Sequence, residues 1–404
     1  MLNQPLQLPC GAVLGNRLAK AALTERLADG RHDPTPALDA LYRRWSAGGA
    51  ALQISGNVLV DRLHLEAAGN MVADAASDLE AYRRLAAAGR SAGNHFWMQI
   101  SHAGRQTPAR INPRPLAPSA VMAAAKAMDL GDPVAMSEAQ ILATISAFAR
   151  AARIARDTGF SGVQVHGAHG YLVSAFLNPL ANQRTDDWGG ALEGRARFLM
   201  AVIDAVRQEV GPAFPVSVKL NSTDFQAGGF SPDECARVAN WLEQAGVDLL
   251  EISGGNYEAP AMIVGNLPDA QPIKPSTLAR EAYFIDYAVN LRSRTTLPLM
   301  LTGGFRSAAA MREALEARAT DVIGLGRTLC VEPDLPRRLI DEDATAIDVQ
   351  SKLKRSHWMP FYYEQITRLG SGLEPDPSAD GEACAVSLAA REKAQLAAHR
   401  EEAG

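Results

Sequence analysis

The sequence predicts one (β/α)8 barrel, the TIM-barrel fold, because three observations on the 404-residue chain agree. Eight short apolar runs recur along the chain, helix signatures with recognisable ends separate them, and no glycine-rich GxGxxG turn follows the first run. Eight alternations of strand and helix are typical of a closed parallel barrel, whereas an open doubly wound sheet usually has fewer repeats and carries that turn. The open sheet is the alternative fold.

The eight apolar runs are the predicted barrel strands. Each is short and rich in Val, Ile, Leu or Ala, as expected for a parallel strand that is buried on both faces. The predicted strands cover residues 18–23, 50–58, 95–101, 162–166, 215–220, 247–253, 298–303 and 322–326.

Capping residues predict the helices between these strands. Ser77, Ser137 and Ser231 each begin a Ser-x-x-Glu/Gln capping box, in which the serine oxygen accepts a hydrogen bond from the backbone amide three residues on. Helices from these boxes should end near residues 93, 159 and 246. Further helices are predicted for residues 35–49, 193–210 and 307–318.

Two stretches, residues 105–134 and 254–275, are predicted to be long loops after the third and sixth strands. Loops longer than about 15 residues in a compact domain are often functional, and both would lie over the face where barrel active sites are found. We expect residues 1–340 to form the barrel and residues 341–404 a C-terminal helical extension. Its last helix, 385–402, should lie at the surface or at an oligomer contact.

Composition excludes several classes of function. The net charge is -5 and no basic stripe is present, which argues against nucleic-acid binding. The four cysteines are far apart and form no CxxC pair, so no sequence-local zinc or iron–sulfur site is indicated. No 18-residue apolar run and no signal-peptide pattern is found, so a soluble, reduced, cytoplasmic protein is expected.

The segment from Val163 to Leu172 is the most informative for chemistry, since it contains His166, His169 and Tyr171. At the end of a barrel strand these side chains would converge over the barrel mouth. Two imidazoles could donate two N–H bonds to one oxygen, and Tyr171 could supply a proton. The alternative is a structural histidine, an exposed histidine and a core tyrosine. HxxH also suits a metal, but only two ligands are local.

Lys219 lies in the apolar fifth strand. A cation there must either pair with an anion or lie at the end of the strand that is exposed to water. Its functional interpretation is a cation beside a group that becomes negative during turnover, such as a reduced flavin. Gln99, on the third strand, can donate and accept hydrogen bonds at once, which suits the pyrimidine edge of a flavin.

Glycines and an arginine follow the last two strands. Gly303 and Gly304 come after the seventh strand, and Gly326 and Arg327 after the eighth. Barrels often build a phosphate site from loop amides at this position. Glycines let the backbone approach the phosphate, and an arginine can bind it through two hydrogen bonds.

Several segments together resemble the Old Yellow Enzyme family, whose members are FMN-dependent NAD(P)H oxidoreductases on (β/α)8 barrels, many of which reduce activated alkenes. The resemblance covers residues 6–339. It rests on Asn16-Arg-Leu-Ala-Lys-Ala-Ala-Leu-Thr24-Glu25, Gln99-Ile-Ser-His102-Ala-Gly-Arg105-Gln, His166-Gly-Ala-His169-Gly-Tyr171 and Asn178-Pro-Leu…Asn182-Gln-Arg184-Thr-Asp186…Trp188-Gly-Gly190.

The resemblance implies site residues. His166 and His169 would bind the substrate's carbonyl or a phenolate, Tyr171 would donate the proton, and the Thr24 hydroxyl would lie near flavin O4. Residues implied to bind FMN are Ala22, Leu23, Thr24, Gly56, Gln99, Lys219, Gly303, Gly304, Gly326 and Arg327. The chain departs from the family at three places: Ala22-Leu23 replaces Pro-Met, Lys219 replaces an arginine found in many relatives, and Arg26 replaces a tyrosine found in some.

The activity implied is reduction of electron-poor alkenes by NADH or NADPH through FMN, in ping-pong order, by an enzyme that is expected to be a homo-oligomer. Two alternatives are a barrel lyase or aldolase that binds a phosphate substrate and uses Lys219 as a Schiff-base amine, and a non-catalytic flavin-binding protein. Neither needs His166, His169 and Tyr171 together.

Overall fold

The barrel is closed by eight parallel strands that pair in chain order. In the computed structural model, which describes residues 1–125, 128–259, 282, 284–342 and 344–403, strand β8 pairs with β1 and completes the ring. The predicted barrel is therefore confirmed, and the open-sheet alternative is wrong. The strands are β1 (Leu18–Lys20), β2 (Leu52–Leu59), β3 (His95–Ser101), β4 (Gly162–Gly167), β5 (Val216–Asn221), β6 (Leu249–Ser253), β7 (Leu299–Thr302) and β8 (Val322–Leu325).

Helices pack outside the strands, and the six helices that the sequence predicts between the strands each begin within two residues of the predicted position. Ser137 and Ser231 form complete capping boxes, and the Ser307 side chain accepts from the Ala310 amide. The described helices are α1 (Pro36–Ser46), α2 (Leu79–Gly89), α3 (Glu138–Thr158), α4 (Leu172–Leu177), α5 (Leu192–Val210), α6 (Pro232–Gln244), α7 (Ile285–Arg292), α8 (Ala308–Glu316), α9 (Thr328–Val331), α10 (Leu335–Asp341), α11 (Trp358–Gly370) and α12 (Gly381–Ala403).

The capping box predicted at Ser77 is wrong. Asp78 caps α2 instead, because its carboxylate accepts from the amides of Glu80 and Ala81. The Ser77 hydroxyl donates to the Val72 carbonyl and accepts from the Asp74 amide, so it holds the preceding turn. The helix ends at Gly89, four residues before the predicted stop.

A hairpin closes the amino-terminal end of the barrel. Residues Leu6–Gln7 pair antiparallel with Val13–Leu14, and Leu8 and Leu14 pack in one buried cluster with Trp97, Leu249 and Met300 from the starts of barrel strands. Burial of this apolar surface stabilises the closed end. The carboxyl ends of the strands are therefore left for a binding site.

The predicted loop 105–134 contains a short 3-10 turn, Gly104–Gln106, and two-residue strands, Leu116–Ala117 and Val134–Ala135, that pair in parallel. Residues 260–275 of the second predicted loop lie outside the described residues. None of the helices in the described part of the chain combines the length and apolar character that a membrane crossing requires.

Helix α12 lies against segments from the start of the chain. The Gln395 amide donates to the Arg26 carbonyl at 2.6 Å, and His399 Nδ1 lies 3.0 Å from His32 Nε2. Gly30 and Gly69 permit this approach: a Cβ atom at Gly69 would come within 2.4 Å of Gln395, and one at Gly30 within 3.2 Å of Ala398. The early chain therefore carries small residues where this helix packs.

Candidate active site

Two adjoining cavities lie at the carboxyl ends of the strands. The glycine-lined cavity, of about 230 Å³, is bounded by residues that include Lys219, Ser253, Gly303, Gly304, Gly326 and Thr328. The tyrosine-lined cavity, of about 620 Å³, is bounded by residues that include Thr24, Arg26, Glu66, Tyr171, Tyr257, Tyr363 and Glu392. Both cavities share Ala22, Leu23, His169, Arg327 and Tyr362. The site is thus one space with two chemically different halves.

The glycine-lined cavity has the features of a phosphate site. Gly303 and Gly304 have φ values of 129° and 89°, which other residues rarely adopt. Arg306 and Arg327 line the cavity, and Arg306 is paired with Asp348 at 3.0 Å. The buried Thr328 hydroxyl has no hydrogen-bond partner among the described residues, although it borders the cavity. Cations, a free hydroxyl and permissive backbone fit an anion with several acceptor oxygens.

Lys219 is held by an anion that sequence reasoning did not identify. Its Nζ lies 2.9 Å from Glu251 Oε1, with side-chain exposures of 5% and 0%. The two residues are register partners on β5 and β6. The alternative that Lys219 lies at the water-exposed end of the strand is therefore wrong, because the side chain is buried and paired. The ammonium still borders the glycine-lined cavity, so it can face a negative group there.

Gln99 belongs to the same buried polar row rather than to the cavity wall. Its Nε2 donates to Gln164 Oε1 at 2.7 Å, and Gln164 Nε2 donates to Glu251 Oε2 at 2.9 Å. Gln99 is not among the residues that bound either cavity. The row fixes the orientation of the Glu251 carboxylate, and Glu251 in turn fixes Lys219.

His166, His169 and Tyr171 pack closely, as the sequence predicts. The His166 ring lies edge-to-face on His169 and on Tyr171, with centroids 5.0 and 4.9 Å apart. His169 borders both cavities and Tyr171 borders the tyrosine-lined one, whereas His166 packs behind them at 3% exposure. His169 and Tyr171 therefore lie where the two cavities join, and His166 packs against both of them from behind.

Both imidazoles are neutral at neutral pH. Burial, and then the Lys219 charge, hold the pKa of His166 and of His169 well below the usual 6.5. The Ala168 amide donates to His166 Nδ1 at 3.2 Å, which leaves the His166 proton on Nε2. His169 Nε2 lies 2.7 Å from the Ser253 hydroxyl. With that hydroxyl as donor, the His169 proton is on Nδ1, so each ring keeps one N–H.

Tyr171 remains protonated. Burial, followed by the nearby Glu66 carboxylate, raises the pKa of Tyr171 well above the usual 10. Its hydroxyl lies 2.7 Å from that of Tyr257 in the loop after β6. A buried phenol that keeps its proton can serve as an acid toward the cavity.

The segment that includes Ala22, Leu23 and Thr24 rests on a buried carboxylate. Glu25 accepts from the Gly56 amide at 2.8 Å and from the Tyr42 hydroxyl. A Cβ atom at Gly56 would come within 2.3 Å of both Glu25 Oε2 and the Leu23 carbonyl. Gly56 therefore lies behind the cavity wall, where its missing side chain lets the first-strand segment reach its position.

An ionic group that the sequence analysis missed borders the tyrosine-lined cavity. Arg26 forms an ion pair with Glu392 of α12 and lies over the Tyr363 ring, with 4.5 Å from its guanidinium carbon to the centroid. Glu66 accepts from the Thr24 hydroxyl at 2.9 Å and from Asn57 at 2.6 Å. The Thr24 hydroxyl thus donates its hydrogen bond to Glu66. The departure at Arg26 was the one available signal, but nothing in sequence indicated its partner 366 residues away.

Asp61, His64 and His102 form a compact group that could suggest a metal site. Their hydrogen bonds indicate otherwise. His64 Nδ1 lies 2.8 Å from Asp61, and its Nε2 accepts from the Leu116 amide at 2.8 Å. His102 Nδ1 accepts from the Gly104 amide. Most of the lone pairs that a metal would need are therefore engaged, and the group joins the loop at 104–116 to β2 and β3.

A barrel with a phosphate-type cavity beside a cavity that is lined by a buried phenol fits the class of flavin-binding oxidoreductases. The chain matches the NADH:flavin oxidoreductase / NADH oxidase family over residues 1–345, and it belongs to that family. It is an FMN-dependent NADH:flavin oxidoreductase of the Old Yellow Enzyme kind, as the sequence predicts. Family membership favours this class over the lyase and the non-catalytic alternatives.

Curated relatives and solved structures agree with this assignment. The chain is 36% identical to an NADH-dependent flavin oxidoreductase of Hypocrea jecorina, with 84% of this chain and 90% of that protein covered. It is 38% identical to one of Neonectria sp., again over 84% of this chain, but spans only 47% of that longer protein. An Old Yellow Enzyme homologue from Zymomonas mobilis superposes with a TM-score of 0.72 at 25% identity, covering 86% of this chain and 94% of that one.

Proposed function

We propose that the protein reduces electron-poor alkenes, such as α,β-unsaturated carbonyl compounds, with NADH or NADPH as the reductant. One observation carries the proposal: the His166 ring packs on His169 and on Tyr171, with centroids 5.0 and 4.9 Å away, and those two residues border the cavities. Donors for an oxygen and a protonated phenol thus lie beside the space that fits the cofactor. This combination suits an acceptor that needs both carbonyl activation and a proton.

The residues of the glycine-lined cavity fit FMN. Gly303, Gly304, Arg306 and Arg327 would hold the phosphate, and Lys219 would face the flavin ring together with Ala22 and Leu23. When bound there, FMN would supply the hydride chemistry that links the nicotinamide to the acceptor. Lys219, which pairs with Glu251 at 2.9 Å, would stabilise negative charge that develops beside it.

His166 and His169 would bind the acceptor's carbonyl oxygen. Because both rings are neutral, each offers an N–H donor without introducing a competing charge. Donors aimed at an oxygen that gains negative charge act like an oxyanion hole, where one donor contributes about 2.7–4 kcal/mol. Ser253, by donating its hydroxyl hydrogen to His169 Nε2, would set the tautomer that leaves the N–H of His169 on Nδ1 and available to the oxygen.

Tyr171 would donate a proton to the α-carbon while the β-carbon receives the hydride. Its raised pKa keeps it protonated across the neutral range. The acceptor would lie in the tyrosine-lined cavity, whose volume of about 620 Å³ is within the usual range for small-molecule sites.

The test separates the two half-reactions of the purified, FMN-loaded enzyme. We expect His166→Ala to weaken binding of a phenol and to slow alkene reduction by about a hundredfold or more, while FMN stays bound. We expect Tyr171→Phe to slow flavin reoxidation by an alkene and to leave reduction by the nicotinamide near normal. His95→Ala is the matched control, since His95 is at the amino-terminal start of β3. Unchanged phenol affinity, or equal slowing of both halves in Tyr171→Phe, would contradict the proposal.

Three further expectations from the sequence stay predictions. A homo-oligomer would be measured by light scattering, and a cytoplasmic location by cell fractionation. The division into a barrel of residues 1–340 and an extension of residues 341–404 would be tested by limited proteolysis, which should cut between them.

A further inference from the structure

Tyr257 is a second tyrosine beside the donor. Its hydroxyl lies 2.7 Å from that of Tyr171, and the two rings meet edge-to-face with centroids 5.8 Å apart. Both residues border the tyrosine-lined cavity. The hydroxyl contact joins a residue that follows β4 to a residue that follows β6, and the two are 86 positions apart in sequence.

We propose that Tyr257 is a proton-relay residue, which returns a proton to Tyr171 after Tyr171 has protonated the alkene. This inference rests on the proposed function, in which Tyr171 is the acid. Tyr257 acts through Tyr171 and has no contact with the reacting carbon in this scheme, so its role is to position and to resupply the acid.

The relay answers a physical problem at Tyr171. Once the phenol has lost its proton, a phenolate remains at a position with 5% exposure and with the Glu66 carboxylate nearby. A buried anion without a hydrogen-bond donor is strongly disfavoured. The Tyr257 hydroxyl, already at hydrogen-bond distance, can donate to that phenolate without any change of backbone, and such bonds to charged groups are among the stronger ones.

The position of Tyr257 is fixed on both sides. Asn256 Oδ1 accepts from the Glu258 and Ala259 amides at 2.9 and 2.8 Å, and its amide donates to Gln226 at 2.8 Å. Glu258 forms a 2.7 Å ion pair with the buried Arg105. Because both sequence neighbours are anchored, the tyrosine contact is part of a built arrangement and not a chance meeting of exposed rings.

Gly170 allows the two loops to meet. It has a φ of 80°, and a Cβ atom there would come within 2.6 Å of Gln106 Oε1 and 2.9 Å of Asn256 Cβ. Asn256 also forms a parallel bridge with His169. The glycine between the histidine and the donor tyrosine therefore serves the approach of the Tyr257 loop.

The proton transfers balance. The Tyr171 O–H bond breaks as the new C–H bond forms at the α-carbon, with the electron pair of the alkene displaced by the hydride that the reductant provides. The Tyr257 O–H bond then breaks as the Tyr171 O–H bond re-forms. Tyr257 is half-buried and borders the larger cavity, so water entering after product release restores its proton.

The experiment compares Tyr257→Phe, Tyr171→Phe and the double variant in the FMN-loaded full-length enzyme, with Tyr287→Phe as the control. Tyr287 is half-buried on α7 and packs on Phe225, outside both cavities. We expect Tyr257→Phe to slow single-turnover reoxidation by an enone by about ten- to a hundredfold, because the phenolate that forms on Tyr171 loses its hydrogen-bond donor. Repeated turnover should slow at least as much, because Tyr171 also loses its source of a new proton. Reduction by NADH and the affinity for a phenol should change less than about twofold, since the ring is retained.

The double variant decides between a relay and an independent role. If Tyr257 acts through Tyr171, adding Tyr257→Phe to Tyr171→Phe slows reoxidation no further. Tyr257→Phe alone should change the solvent deuterium isotope effect of reoxidation, whereas this isotope effect should be the same in Tyr171→Phe and in the double variant. The inference is overturned if the two substitutions slow reoxidation additively in the double variant. It is also overturned if Tyr257→Phe behaves like the Tyr287→Phe control while Tyr171→Phe is slow. The proposed function survives both results. A Tyr171→Phe enzyme with normal reoxidation overturns the inference and the proposed function together.

Discussion

Two of the ion pairs that border the site differ in burial and in the elements that they join. The floor pair, Lys219–Glu251, joins adjacent strands in register, with exposures of 5% and 0% and a row of buried amides behind it. The roof pair, Arg26–Glu392, joins the first-strand segment to α12, with exposures of 19% and 37%. The floor pair is thus fixed in one geometry beside the cofactor space, whereas a charge of the roof pair can be changed with little loss of folding stability.

The largest expected effect comes from breaking the floor pair. Glu251→Gln keeps the hydrogen-bonding shape but leaves the Lys219 ammonium buried without an anion, which should cost about 3–5 kcal/mol of unfolding free energy. Urea denaturation measures it. Glu209→Gln is the control, because its pair with Arg153 is 3.6 Å long and exposed, and should cost less than about 1 kcal/mol. Equal effects of the two changes would remove the distinction between floor and surface charges.

The next largest effect is expected from lowering the pH, which should weaken the contact between α12 and the start of the chain. Burial lowers the pKa of His32 to about 4, and burial also lowers the pKa of His399, its partner on α12. Between pH 6.5 and 4 the unfolded chain therefore binds more protons than the folded one, so stability falls as the pH falls through this window. His32 alone accounts for up to about 3 kcal/mol.

The variant His32→Gln isolates this contribution. The slope of unfolding free energy against pH between 6.5 and 4 should be smaller in the variant than in the parent. A slope that is the same in His32→Gln and in the parent would show that the α12 contact does not titrate.

A steric change behind the cavity wall should have an intermediate effect. In Gly56→Ala the new methyl group would come within 2.3 Å of the Glu25 carboxylate and the Leu23 carbonyl. This clash should lower the free energy of unfolding by about 1–3 kcal/mol. It should also weaken FMN binding, since Leu23 borders both cavities. FMN titration and denaturation report the two effects. The control is Gly15→Ala, where no atom lies within 4 Å of the added Cβ, and it should change the free energy of unfolding by less than about 0.5 kcal/mol. If Gly56→Ala bound FMN as tightly as the parent, Gly56 would not be needed to position the first-strand segment.

The smallest expected effect on stability comes from the roof. Glu392→Gln should change unfolding free energy by less than about 1 kcal/mol and leave FMN affinity intact. Because Arg26 then faces the cavity with one anion fewer, KM for an alkene that bears a carboxylate should fall a few-fold, while KM for a neutral enone stays nearly constant. Glu382→Gln, in the first turn of the same helix, is the control, and parallel changes for both alkenes would exclude a charge effect.

The sequence was sufficient for features that are local or periodic. Eight apolar runs predicted the barrel, and the HGAHGY segment and the late glycines predicted residues that border the cavities, because strand order alone brings their ends together. Glu251 was missed because one acid in an apolar run gives no sign of its partner. Ser77 was mistaken for a cap because the adjacent Asp78 competes for the same amides. Tyr257 and Glu392 depend on loop and helix placement that no spacing reveals.

The roof pair has a consequence for how the molecule is made. Its two members are 366 residues apart, so the contact forms after the barrel residues have been synthesised, and long-range contacts of this kind assemble late in folding. In a newly made chain the barrel is therefore complete before α12 closes one wall of the tyrosine-lined cavity, so this wall of the site is the last to form.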